Sequence, residues 1–129
     1  SLWPATTTSP QQLADRYTKE HLLHISQRMG GHPNDSLQLA ANAYNDGQYN
    51  KALPLLDGLI NNDSLNTAAL NLSGRTYLMT KQFDKALLRF ESLARKKGSF
   101  SNPGKFLQAV TLLQRNRTGD VLHAKQLLQ

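Results

Sequence analysis

A chain of 129 residues and 14.4 kDa holds one domain with a real core and is short for two. Hydrophobic residues at 39% and charged residues at 19% exclude a disordered polyelectrolyte, and the absence of cysteine excludes disulfides, thiolate metal sites and cysteine nucleophiles. The net charge of +6 is unevenly held: residues 1–66 carry four Lys/Arg against six Asp/Glu, residues 67–129 eleven against three.

Residues 1–10, rich in Thr, Ser and Pro with a lone Trp3, read as a linker. Residues 11–31 form an N-terminal capping helix: Leu13, Ala14, Tyr17, Leu22, Ile25 and Met29 share about half a helical wheel, Leu23 lies outside it, and Gly30-Gly31 ends it. This cap is expected to pack on the first hairpin of a repeat region over 32–129. Pro33 opens that hairpin. Its stripes are Leu37, Ala40, Ala41 and Tyr44, then Ala52, Leu55, Leu56, Leu59 and Ile60, with a turn at Asp46-Gly47 between them. Asn50 is the expected cap of the second helix, and Pro54 is expected in its first turn. A second hairpin follows, with Leu70, Gly74, Tyr77 and Leu78 on one helix and Phe83, Ala86, Leu87, Phe90, Leu93 and Ala94 on the other. A third opens at Asn102-Pro103, continues through Phe106, Leu107, Val110, Leu112 and Leu113, and closes with Val121, Leu122, Leu127 and Leu128.

The first two hairpins repeat. Gln48 pairs with Gln82, Tyr49 with Phe83, Lys51 with Lys85, Ala52 with Ala86, Leu53 with Leu87, Leu56 with Phe90 and Leu59 with Leu93, all at an offset of 34. Ala124 stands 38 residues after Ala86, so the third unit has an insertion of four; it lacks the aromatic after the turn and reads as degenerate or as a cap. The units lie at about 33–66, 67–100 and 101–129.

This pattern of a small residue on the first helix, an aromatic after the turn and an alanine three later (Ala40, Tyr49, Ala52; then Gly74, Phe83, Ala86) resembles the tetratricopeptide repeat (TPR) family. The resemblance implies an all-α fold, a right-handed α-α superhelix of TPR helical hairpins with an N-terminal capping helix. The order of elements is similar to bacterial membrane-anchored TPR proteins. That implies a tethered position on the extracytoplasmic (periplasmic) side of a bacterial membrane with an anchor upstream of Ser1; a cytoplasmic location is the alternative.

On the TPR register the first helices line a concave groove, with Asn34, Leu37, Tyr44 and Asn45 facing it from the first unit, Asn71, Arg75, Leu78 and Met79 from the second, and Lys105 from the third. Amides suit the backbone of an extended peptide, and Arg75 and Lys105 suit a carboxylate. The expected function is a non-enzymatic protein–protein interaction module binding a peptide or partner protein, with acidic character in that partner weakly favoured. Self-association through the end of the array is the alternative. A minor one is nucleic-acid or anionic-surface binding through a basic outer face of Lys81, Lys85, Arg89, Arg95, Lys96 and Lys97. No phosphate loop, nucleophile elbow or zinc-protease motif occurs, so no enzyme activity, cofactor or metal is expected; His21 and His24 are three apart on the capping helix without further ligands in view.

Overall fold

A computed structural model of the chain describes residues 8–26, 35–96 and 102–129. Among these are seven α-helices and no strand: α1 (Pro10–Tyr17), α2 (Ser36–Asn45), α3 (Tyr49–Asn62), α4 (Thr67–Met79), α5 (Phe83–Ala94), α6 (Gly104–Arg115) and α7 (Asp120–Leu127). A π-helical segment, Thr18–Leu22, continues α1. The fold is all-α.

The 34-residue period reappears in the element boundaries: α2 and α4 end at Asn45 and Met79, and α3 and α5 begin at Tyr49 and Phe83. The two connecting turns share one hydrogen-bonding scheme. Gly47 N–H donates to the Tyr44 carbonyl and Gln48 N–H to the Ala43 carbonyl; Lys81 donates to Leu78 and Gln82 to Tyr77. This arrangement ends a helix by placing one residue in the left-handed region, and that residue is Gly47 at φ 73° in the first turn and Lys81 at φ 59° in the second. Lys81 therefore belongs to a turn, and the expected basic stripe begins outside α5.

Helix starts follow local chemistry. Ser9 caps α1 in a reciprocal box with Gln12, with Pro10 as the first helical residue, and Asp35 and Asn66 cap α2 and α4 by accepting from Leu37 N–H and Ala69 N–H. Two local expectations need correction. Asn50 does not cap α3: Gln48 holds that position, and Asn50 lies inside the helix because the preceding turn closes at Gln48. Pro54 is the sixth residue of α3 rather than part of its first turn, on an exposed side where the bond it withholds from the Asn50 carbonyl is open to water.

From α2 to α7 each helix packs on the next, and α2 also meets α4. Small residues set the spacing. Ala40, Ala52 and Ala86 are fully buried, and a Cβ on Gly74 would collide with the Phe90 ring. Gly74 thus makes room for a side chain, whereas Gly104 admits backbone: a Cβ there would meet Ala94 N at 2.5 Å. Asn102 ties the same joint, donating to the carbonyls of Leu93 and Lys96 while accepting from Gly104 N–H.

The third hairpin replaces its missing aromatic with an ion pair. Arg115 donates through Nε and Nη2 to both carboxylate oxygens of Asp120, at 2.9 and 2.7 Å, and through Nη1 to Asp84 on α5 at 3.0 Å. The Arg117 N–H adds a fourth bond, to Asp120. The Arg115 fork holds the buried Asp120 carboxyl below its usual range, and Asp120 in turn raises the Arg115 guanidinium. Ala109, Leu112 and Ala124 form a small second core beside it.

Lys81 occupies a conformation that costs a residue with a Cβ. Lys81→Gly is expected to raise unfolding stability by about 1 kcal/mol, read by urea denaturation, with an unchanged denaturant slope.

Candidate functional site

The segment expected to cap the first hairpin takes another course. Within the described residues it is helical only to Leu22, and 27–34, which include the expected end at Gly30-Gly31, lie outside them. Its α1 portion lies along α6, where Tyr17 meets Phe106 edge-on at 5.1 Å between ring centroids. Gln11 Nε2 donates to the Gln114 carbonyl at 3.0 Å, and Gln114 Nε2 donates to Asp15 at 2.8 Å. Leu22 and Ile25 then reach α2 and join the main core.

At α2 the contact is to backbone. The Tyr44 hydroxyl donates to the Leu22 carbonyl. Burial pushes the Tyr44 phenol well above its ordinary value, with the Arg75 charge opposing, so it stays a donor at neutral pH. Asn45 holds both groups of one peptide unit: its Oδ1 accepts from Ile25 N–H at 2.8 Å, and its Nδ2 donates to the Ile25 carbonyl at 3.1 Å. These bonds account for the early end of the helix, since an Ile25 held by a side-chain amide no longer needs a helical partner.

Beside this grip lies a cleft of about 380 Å³, with His24, Ile25 and Ser26 on one wall and Ala68, Asn71, Leu72 and Arg75 of α4 on the other. Arg75 Nε donates to Asn71 Oδ1 at 2.7 Å, which fixes the guanidinium; among the described residues no carboxylate pairs with it.

The residues expected to face the groove therefore divide. Tyr44 and Asn45 grip the N-terminal segment, and Asn71 and Arg75 line the cleft. Leu37 and Leu78 are buried in the core, Met79 packs against it, and Lys105 is exposed on α6. Asn34 lies outside the described residues. The basic face is largely engaged within the fold: Arg89 pairs with Asp57 at 3.1 Å, Arg95 with Glu91 at 3.1 Å, and Lys96 donates to the Leu65 carbonyl at 3.2 Å. The Lys85 ammonium sits 5.7 Å from the centre of the Tyr77 ring, and Lys97 lies outside the described residues. His21 turns to the Tyr17 ring while His24 lines the cleft, and among the described residues no three His, Asp or Glu are grouped to hold a metal ion.

Gln11, Asp15 and Gln114 are the participants that sequence reasoning missed. Their bonds join residues 103 and 99 positions apart, and no local pattern marks such partners. The signal within reach was the pairing of an apolar stripe at Leu13–Ile25 with an amide at Asn45.

Comparison with family models, with curated proteins and with solved structures finds no match for the chain. Among the described residues no helix is long and apolar enough to cross a membrane.

Asn45→Ala removes both bonds to Ile25, which is expected to weaken docking of the segment by about 1–2 kcal/mol. Amide hydrogen exchange at Ile25 then accelerates by roughly tenfold or more, while amides of α4 and α5 keep their protection.

Proposed function

We propose that the protein is a non-enzymatic interaction module of the TPR kind, whose first helices α2, α4 and α6 form a concave face that holds a peptide segment of a partner protein. The observation that carries this reading is the Asn45 amide holding both polar groups of Ile25: a bond to peptide backbone serves any extended sequence, as a peptide-binding surface requires. Further support comes from the 34-residue recurrence of turns and helix ends, the helix-on-next-helix packing, and the cleft beside Arg75. Arg75, fixed by Asn71 and without a carboxylate partner among the described residues, favours an acidic group in that segment. The resemblance of its element order to membrane-anchored TPR proteins is the ground on which an extracytoplasmic, tethered position is proposed.

A second reading, self-association, rests on Leu122 of α7 and Leu128 just after it, which are 63% and 55% exposed at the end of the array. The nucleic-acid reading is weakened by the internal engagement of Arg89, Arg95 and Lys96, since a phosphate would have to compete for cations already paired.

The test is selection from a random peptide library on the whole chain, followed by affinity measurement with wild type and with Asn71→Ala/Arg75→Ala. Selected peptides are expected to lose at least tenfold in affinity for the double variant. Equal affinity for both proteins would remove α4 from the binding surface and overturn the reading.

A further inference from the structure

The segment 10–26 is attached differently from α4, α5 and α6. The joints between α4, α5 and α6 are close approaches of small residues, where a single Cβ on Gly74 or Gly104 would collide with a neighbour. The attachment of α1 is looser. Its aromatic contact is half open, with Tyr17 part-exposed and Phe106 40% exposed, and its polar contacts are a few hydrogen bonds to backbone and amides. Two buried oxygens at this joint, Thr18 Oγ1 on the segment and Gln114 Oε1 on α6, have no hydrogen-bond partner among the described residues. A π-helical segment, a rare and less favourable winding, precedes the residues that reach α2. Each of these features lowers the stability of the docked segment.

The bonds it makes are those of a ligand. Tyr44 and Asn45 address only the backbone of Leu22 and Ile25, so they accept any chain in the same conformation. One side chain is poorly matched: His24 lines the cleft opposite Arg75, where an acid would pair with the guanidinium and an imidazole does not.

We propose that residues 10–26 are an exchangeable ligand held in cis, and that the face beneath them takes from a partner a segment of the same build: a short amphipathic helix, then extended residues gripped by Asn45, with an acidic side chain where His24 stands. The proposal rests on the peptide-binding reading above and specifies its ligand. The partner segment displaces residues 10–26 by adding the ion pair to Arg75 that the cis segment lacks, and the cis segment keeps weaker peptides out by its high effective concentration.

The probe is a fluorescein-labelled synthetic peptide of residues 8–26, offered to the whole chain. Leu22→Asp in the protein removes the anchor of its own segment and leaves Tyr44, Asn45 and Arg75 intact, so this variant is expected to bind the peptide at least tenfold more tightly than wild type does. His24→Glu in the peptide adds about another tenfold, and Arg75→Ala in the protein abolishes that gain. The chain has no cysteine, which permits a second arm independent of Leu22. Asp15→Cys/Gln114→Cys, joined by a short bis-maleimide, pins α1 to α6 and is expected to block binding of the His24→Glu peptide that the unjoined double variant accepts.

Failure of the peptide to bind any of these proteins, with circular dichroism showing them folded, would mean that the segment is a fixed part of the core. Binding unaffected by the cross-link would place the peptide elsewhere, and a wild-type dimer that exchanges its segments would move the ligand from cis to trans. Any of these three results overturns the proposal. None of them alters the outcome of the library test on Asn71 and Arg75, so the broader reading stands or falls separately.

Discussion

Everything in this molecule is spaced by how closely one helix approaches the next. Ala52 and Ala86 are wholly buried, Gly74 accommodates the Phe90 ring, and Gly104 lets the start of α6 lie against the Ala94 backbone. The first two units reach the same density by different routes. Ala40 and Leu56 fill positions that Gly74 and Phe90 fill 34 residues later, with volume moved from the first helix to the second and all of these side chains buried. The contacts of one helix on the next run along the sequence from α2 to α7, while Ala14 and Leu22 of the N-terminal segment are buried in the same core.

Tyr44 and Asn45, at the end of α2, hold the backbone of Leu22 and Ile25, which precede them by 22 and 20 residues in the chain. On α4, Arg75 and Asn71 pair with each other and leave the guanidinium facing a cleft in place of an acid. Part of the positive charge in the second half of the sequence is paired, through Arg89 with Asp57, Arg95 with Glu91 and Arg115 with Asp120 and Asp84.

Much of the helical layout could be read from the sequence because it is written in local patterns. A 34-residue offset between Tyr49 and Phe83 correctly implies that their helices begin alike, and it even aligns Lys81 with Gly47 in the same left-handed turn. The course of residues 10–26 was not legible. Their apolar stripe continues without a break toward Met29, so periodicity extends the helix past the point where Asn45 captures Ile25. The choice of α6 as the partner of α1 depends on Gln11, Asp15 and Gln114, whose meeting is a product of the assembled array. Likewise, Arg115 and Asp120 look like ordinary loop charges until α5 supplies Asp84 beside them. As for the groove, Tyr44 and Asn45 stood at legible positions, whereas the burial of Leu37 and Leu78 reflects how tightly neighbouring helices close over them.

The central claim is that the face of α2 and α6 is covered by the chain's own residues 10–26. Nuclear Overhauser effects on a mixture of isotope-labelled and unlabelled protein test it most directly, because they separate contacts within one chain from contacts between two. Intramolecular cross-peaks are expected between the ring protons of Tyr17 and Phe106 and between the Tyr44 ring and Leu22. Absence of both sets, in a sample where contacts between the Phe90 ring and Gly74 persist, would contradict it.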